Sequence, residues 1–256
     1  MIPTAAFGGI QKAANIIKNA HFVVAFTGAG ISTPSGIPDF RSAETGLWQK
    51  DDPMYVASLS AFQFHPERFF TWFKPLLQQI SSAQPNLAHV SLAQLEAAGK
   101  IQAIVTQNID MLHQKAGSKN VFPLHGSVDR LICPYCKAVY PITPFLERFL
   151  QQDILPRCWK CDRYLKPDIV LYEEYLPQDI WNRAEELIKD TDVMIVIGSS
   201  LEVFPACTIP QMAVENHACL IINNFSSTPL DEYADVLLPY NTVEILPAIT
   251  ELVLKP

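Results

Sequence analysis

The stretch FVVAFTGAGISTPSGIPDFRS, residues 22–42, restricts the possible folds more than any other part of the chain. Its apolar start reads as a strand buried on both faces, the kind found in parallel sheets. Gly28, Ala29 and Gly30 then follow, as a phosphate-binding turn follows a strand. The dinucleotide fingerprint G-x-G-x-x-G would place glycine at 33, where Thr33 stands. Pro34, Gly36 and Pro38 also prevent a clean helix start. A turn suited to a nucleotide therefore leads into a proline-spaced loop. A hydride-transfer enzyme would also place an acid at the end of its second strand. Asp51 and Asp52 lie near that spacing but follow no strand, so the dehydrogenase reading is weak.

Further apolar runs alternate with helix-like segments. The spacing predicts a helix over 7–18 with Phe7, Ile10, Ala13, Ala14 and Ile17 on one face. Phe69, Phe70, Trp72, Phe73, Leu76, Leu77 and Ile80 form a second, core-facing stripe. A helix over 85–98 stops at Gly99. Strands are expected at 101–106, 121–126, 167–172, 192–197, 218–224 and 236–239, with helices over 178–189 and 206–215 and at the C-terminus. The alternation implies an α/β fold, a Rossmann-like, mostly parallel sheet with helices on both faces.

Composition excludes several classes. The chain has 256 residues, 49% of them hydrophobic, enough for a sizeable core. Its 19 Lys and Arg against 26 Asp and Glu give a net charge of -7. That balance argues against direct nucleic-acid binding and suits a small ligand or a basic peptide. No stretch reaches the roughly 18 apolar residues of a membrane span, and the N-terminus has no signal-peptide pattern. The expectation is a cytoplasmic protein, monomeric by default.

Four of the six cysteines form two C-x-x-C pairs, Cys133/Cys136 and Cys158/Cys161. A redox pair is the alternative, but two pairs together complete a tetrahedron around zinc. Four protein ligands leave no open position, so such a zinc is structural. Cys207 and Cys219 read as core residues.

Small or polar residues leave strand after strand, where parallel sheets bind ligands. Gln107, Asn108 and Asp110 follow 101–106. His125, Gly126 and Ser127 follow 121–124. Gly198, Ser199 and Ser200 follow the fourth run, and Asn223 and Asn224 the fifth. His125 faces the expected crevice, and its unperturbed pKa near 6.5 suits a general base. His21, His65, His89 and His217 read as structural, while His113 suits either role.

Taken together, GAGIS with SGIPDFRS and GLW (28–48), TQNID with LH (106–113) and HGS (125–127) resemble the sirtuins. So do the two C-x-x-C pairs, KPDIVLYEE (166–174), GSSLEVFPA (198–206) and IIN (221–223). The resemblance spans nearly the whole chain in family order. It implies an NAD-dependent protein lysine deacetylase or deacylase, in which the proline-spaced loop closes over a consumed cofactor. Three parts follow: an NAD-binding domain of about 1–42, 85–128 and 168–256, a helical module of about 43–84, and a zinc-ribbon insert of about 129–167.

By the same resemblance, Gly28, Ala29, Gly30, Asp39, Phe40, Arg41 and Trp48 line the NAD. Ile37, Asn108, Ile109 and Asp110 surround the nicotinamide, and Gln107 touches the ribose. Gly198, Ser199, Ser200, Asn223, Asn224 and Thr242 hold the adenosine half. His125 and Asn108 are catalytic. The acyl-lysine peptide adds a strand near Val170, Tyr172 and Glu173. Phe73 and Leu76 stand where desuccinylating relatives carry Tyr and Arg, which implies apolar acyl groups over succinyl. One departure stands out. The family pattern F-G-E is Tyr172-Glu173-Glu174 here, so Glu173 either selects basic flanking residues or is an inert surface acid. The alternative activities are mono-ADP-ribosyl transfer on the same fold and a zinc-ribbon module without catalysis.

Overall fold

The computed structural model describes residues 2–39, 46 and 51–255. Helix α1 (Ala6–Asn19) leads into β1 (Val23–Thr27). Helices α2 (Pro53–Val56), α3 (Leu59–Phe64) and α4 (Pro66–Ser82) form a helical module, followed by α5 (Leu87–Ala97). Then come β2 (Ala103–Thr106), α6 (Leu112–Lys115), β3 (Val121–Pro123), β4 (Gly126–Ile132), β5 (Val139–Pro141), α7 (Thr143–Gln152) and β6 (Lys166–Ile169). The chain closes with α8 (Gln178–Asp190), β7 (Val193–Ile197), α9 (Thr208–Glu215), β8 (Cys219–Asn223), β9 (Val236–Leu237) and α10 (Thr242–Leu254).

Six strands form one sheet in the order β3-β2-β1-β7-β8-β9, with every neighbouring pair parallel. The unbroken apolar runs exist because helices cover both faces. On β1, Ala25 faces a core with Ile10, Leu92, Leu95 and Ile249 from α1, α5 and α10. Its neighbours Val24 and Phe26 face the opposite core, with Ala184, Ile188 and Ile209 from α8 and α9. Helix α1 buries Ala6, Ile10, Ala13, Ala14 and Ile17, whereas Phe7 is 56% exposed. The helical stripe therefore starts at Ala6, and Phe7 lies one position off it.

Strands β5, β4 and β6 form a separate three-stranded antiparallel sheet. The strand expected at 167–172 thus spans 166–169, and it pairs with β4 rather than with the parallel sheet. This small sheet has a slight core of its own, Leu131, Phe145 and Leu165 beside Cys133 and Cys158. The helical module packs Phe62, Phe69, Phe70, Phe73, Leu76 and Leu77 against Ile169 and Leu171. Trp72, expected in that stripe, is only partly buried.

Candidate functional site

The sheet order reverses between β1 and β7, and both strands end there in glycine turns. The turns touch backbone to backbone: Gly28 N donates to Ile197 O at 3.1 Å, and Gly30 N to Gly198 O at 2.8 Å. A Cβ on Gly30 would stand 2.8 Å from Gly198 Cα, and one on Gly28 would stand 2.7 Å from Gly198 O. Gly198 itself has φ +60°, a conformation that favours glycine. These glycines therefore let two turns close against each other, in addition to any approach to a pyrophosphate. Past Gly28 the backbone makes single 3-10 turns at 29–31 and 33–35 and stops at Gly36, φ +87°. No α-helix begins there. Ile37 is buried in the helical-module core and Asp39 is half-buried. Phe40, Arg41 and Trp48 lie outside the described residues.

Beneath this floor lies a buried polar knot. Ser32 Oγ donates to Asp110 Oδ2 at 2.6 Å, and Leu112 N donates to Asp110 Oδ1 at 2.8 Å. Asn108 Nδ2 donates to Gly28 O at 3.0 Å and to Ser32 Oγ at 3.1 Å. Thr27 Oγ1 donates to Thr106 Oγ1 at 2.7 Å and lies 2.9 Å from His113 Nε2. His89 Nε2 stands 3.4 Å from Ser32 Oγ, and the two imidazoles are 5.0 Å apart. Burial pushes His89 down to about 4. Burial, with the neighbouring His89, pushes His113 to about 3, so both rings are neutral at pH 7. Burial raises Asp110 above the usual carboxylate range, against the opposing pull of the Ser32 hydroxyl and the Leu112 amide. Both Asp110 oxygens are thus engaged, and a carboxamide would have to share them. Ser32, His89, Thr27 and Thr106 were not among the sequence-derived site residues. Ile109 packs, partly buried, on the helical-module core.

His125 is half-buried at the mouth of this floor, with Nδ1 3.0 Å from Gln107 O. A carbonyl only accepts, so Nδ1 carries the proton and the basic lone pair of the neutral ring is on Nε2. Gln107 is fixed in turn by Thr27 O, which accepts from its amide at 2.9 Å, and by Ser199 Oγ at 2.9 Å. Gly126, φ +75°, lets β4 meet the backbone of Asp168 where a Cβ would collide with Asp168 O.

At the C-terminal end of β8, Asn223 Nδ2 donates to Leu238 O and Tyr240 O, each at 2.8 Å. Asn223 Oδ1 and Thr242 Oγ1 are buried without a partner. Buried polar atoms are nearly always paired, so an orphaned acceptor at the end of β8 and an orphaned hydroxyl at the start of α10 fit a ligand rich in hydroxyl groups. Ser199 is buried in the β7 turn, while Ser200 and Asn224 bond locally to Glu202 and Ser226.

Cys133, Cys136, Cys158 and Cys161 have their sulfurs within 4.8 Å of one another. The nearest pairs are 3.5 Å apart. Zinc–sulfur bonds of about 2.3 Å in a tetrahedron separate the sulfurs by about 3.8 Å, so the cluster fits one zinc ion. Phe73 and Leu76 are buried beside Ile169 and Leu171. Val170 N donates to His125 O at 2.9 Å. Tyr172 spends both backbone groups on the helical module, its N on Ala57 O and its O on Leu59 N. Neither backbone group of Tyr172 is therefore left to pair with an added strand.

A family profile described as "Sir2 family" matches residues 28–205. The chain belongs to the Sir2 family. Among Sir2 relatives, an Archaeoglobus fulgidus protein named "NAD-dependent protein deacylase 2" is 45% identical over 243 residues, 94% of this chain and 95% of that protein. A Caldivirga maquilingensis "NAD-dependent protein deacetylase" is 44% identical over 238 residues, 93% of this chain and 91% of its own. A solved structure described as a basis for the mechanism and regulation of Sir2 enzymes superposes with TM-score 0.90 at 44% identity, covering 96% of this chain and 98% of the other. A Sir2–p53 peptide–NAD+ complex gives 0.86 at 39% identity, covering 94% and 97%.

Proposed function

We infer that this chain is an NAD-dependent protein lysine deacylase, moving the acyl group from lysine to ADP-ribose. The relatives named for this activity match more than nine-tenths of the chain, and the Sir2 neighbours include a complex with NAD+ and peptide. The observation that carries the reading is the His125 geometry, a ring held through Nδ1 on Gln107 O, with Gln107 tied in turn to Ser199 in the β7 turn at the switch point of the sheet.

Each residue then has a part. The glycine floor and the loop through Asp39 receive NAD, with Asn223 Oδ1 and Thr242 Oγ1 on the adenosine side. Asn108 and Asp110 hold the nicotinamide end. The acyl-lysine oxygen displaces nicotinamide from the ribose carbon, leaving a cationic imidate. His125 Nε2 then takes the proton of a ribose hydroxyl, whose oxygen attacks the imidate carbon. Water completes release of lysine and O-acyl-ADP-ribose. An amide oxygen is a weak nucleophile, so holding it close to the glycosidic carbon supplies much of the rate. Zinc takes no part in these steps and braces the β4–β6 lobe. Phe73 and Leu76 favour acetyl or longer apolar groups, because a succinyl carboxylate would be buried unpaired. The three-part division, with the cysteine lobe as an insert in the NAD-binding domain, belongs to the same reading. So do a cytoplasmic location, a monomeric state and the lack of nucleic-acid contacts. Among the described residues no helix is long and apolar enough to cross a membrane.

The test is to incubate an acetyl-lysine peptide with adenine-labelled NAD. Label in a small O-acetyl product supports deacylation. Label retained on protein overturns it in favour of ADP-ribosyl transfer.

A further inference from the structure

We propose that Glu173 is a positioning residue that clasps the segment after β6 to the helical module, rather than a substrate-selecting charge. The proposal rests on the deacylase reading. Its geometry begins with the backbone: Glu173 has φ +73°, a conformation that suits the glycine of the family pattern. A side chain held there at some strain has a compensating contact. One carboxylate oxygen of Glu173 accepts from Ser60 N at 2.8 Å. The adjoining Tyr172 O accepts from Leu59 N at 3.0 Å, and Ser58 Oγ accepts from Ala61 N at 3.0 Å.

The first three amides of α3 are therefore satisfied, two of them by residues 172 and 173. Tyr172 N donates back to Ala57 O at 3.1 Å, so three hydrogen bonds stitch the segments together. The next acid, Glu174, turns inward, accepting from Leu171 N at 2.9 Å and from the buried Lys166 Nζ at 2.8 Å. The two consecutive acids thus hold the segment after β6, one to α3 and the other to Lys166 and Leu171.

What α3 carries explains the consequence. Its Phe62 meets Phe69 of α4 edge-on at 5.4 Å, and Phe69 stacks on Phe73 at 5.5 Å. Phe73 shares its core with Leu171, two residues before the clasp. Glu173 thereby sets the spacing between the α4 wall and the strand wall of the acyl-lysine channel.

The experiment compares Glu173→Gly, Glu173→Gln and the parent on acetyl-lysine peptides with neutral or Lys/Arg flanks at saturating NAD. It also follows amide exchange across residues 59–64. Glycine removes the carboxylate without backbone strain, and glutamine keeps an acceptor oxygen. The expected result is a KM about fivefold higher for E173G on both peptides, as follows when the open clasp leaves the substrate-ready channel about one-fifth populated, with kcat within about twofold. Exchange at the start of α3 should speed up in E173G, and E173Q should restore both readouts. An unchanged KM and unchanged exchange in E173G would overturn the clasp. So would E173Q matching E173G on the basic peptide alone, which would mark a charge effect. If the parent fails to deacylate at all, the deacylase reading falls, while the exchange measurement still judges the clasp.

Discussion

Acidifying the protein from pH 7 to pH 5 should remove about 4 kcal/mol of stability through two buried imidazoles alone. In the unfolded chain His89 and His113 bind protons below about 6.5. In the folded protein they resist protonation until about 4 and about 3. Between these limits the unfolded state binds more protons, so stability falls as the pH falls. Each ring contributes up to about 1.4 kcal/mol per pH unit once it is fully charged in the unfolded chain, which integrates to about 2 kcal/mol between pH 7 and 5. That is a large share of a typical total of about 5–15 kcal/mol. Urea midpoints at pH 7, 6 and 5, followed by fluorescence and circular dichroism, measure the loss. Carboxylates and the cysteine cluster also titrate with acid, so the informative quantity is the difference between the parent and His113→Gln. Glutamine keeps a polar group near Thr27 but does not titrate. Its pH-dependent loss should be smaller by about 2 kcal/mol. An equal loss in both proteins would refute the claim that the knot holds its rings neutral.

Four further outcomes are expected. His125→Ala should lower deacylation by at least about 100-fold while leaving the NAD dissociation constant within a few-fold, checked by turnover and titration. Gly30→Ala should cost about 1–3 kcal/mol and weaken NAD binding, because its Cβ meets the Gly198 backbone and neither turn can yield; an unshifted melting curve would contradict this. A strong chelator should free four thiols to a colorimetric reagent and expose the β4–β6 lobe to protease, while the parallel sheet stays protected from exchange. A succinyl-lysine peptide should turn over more slowly than its acetyl twin, and the reverse order would remove Phe73 and Leu76 from the acyl pocket.

The parallel sheet was legible because burial on two faces leaves long apolar runs, as in VMIVI and VVAF. The cysteine cluster was legible because C-x-x-C spacing is local. Other features depend on distant segments. β4 escaped notice because VDRLI mixes exposed charges with buried residues and borders the first cysteine pair. The run PDIVLY marks a strand near 167–172 but cannot say which sheet takes it. The polar knot draws on residues 27, 32, 89, 106, 108, 110 and 113, and no pattern joins positions so far apart. His89 looked like an ordinary core histidine because one ring nitrogen caps α5 locally at Asn86 N, while its contact with Ser32 comes from the loop after the first strand. The sequence marks the glycines for a close approach to a pyrophosphate, and only the structure shows that they crowd one another.

That crowding also constrains how this chain can diverge. The β1 and β7 turns meet as a seam with no slack, so no side chain can be inserted there to reshape what lies above it. Drift in cofactor or acyl preference must come from the rim, where side chains have room to change. An engineer retuning this scaffold would do best to hold residues 28, 30 and 198 fixed and vary the walls around them.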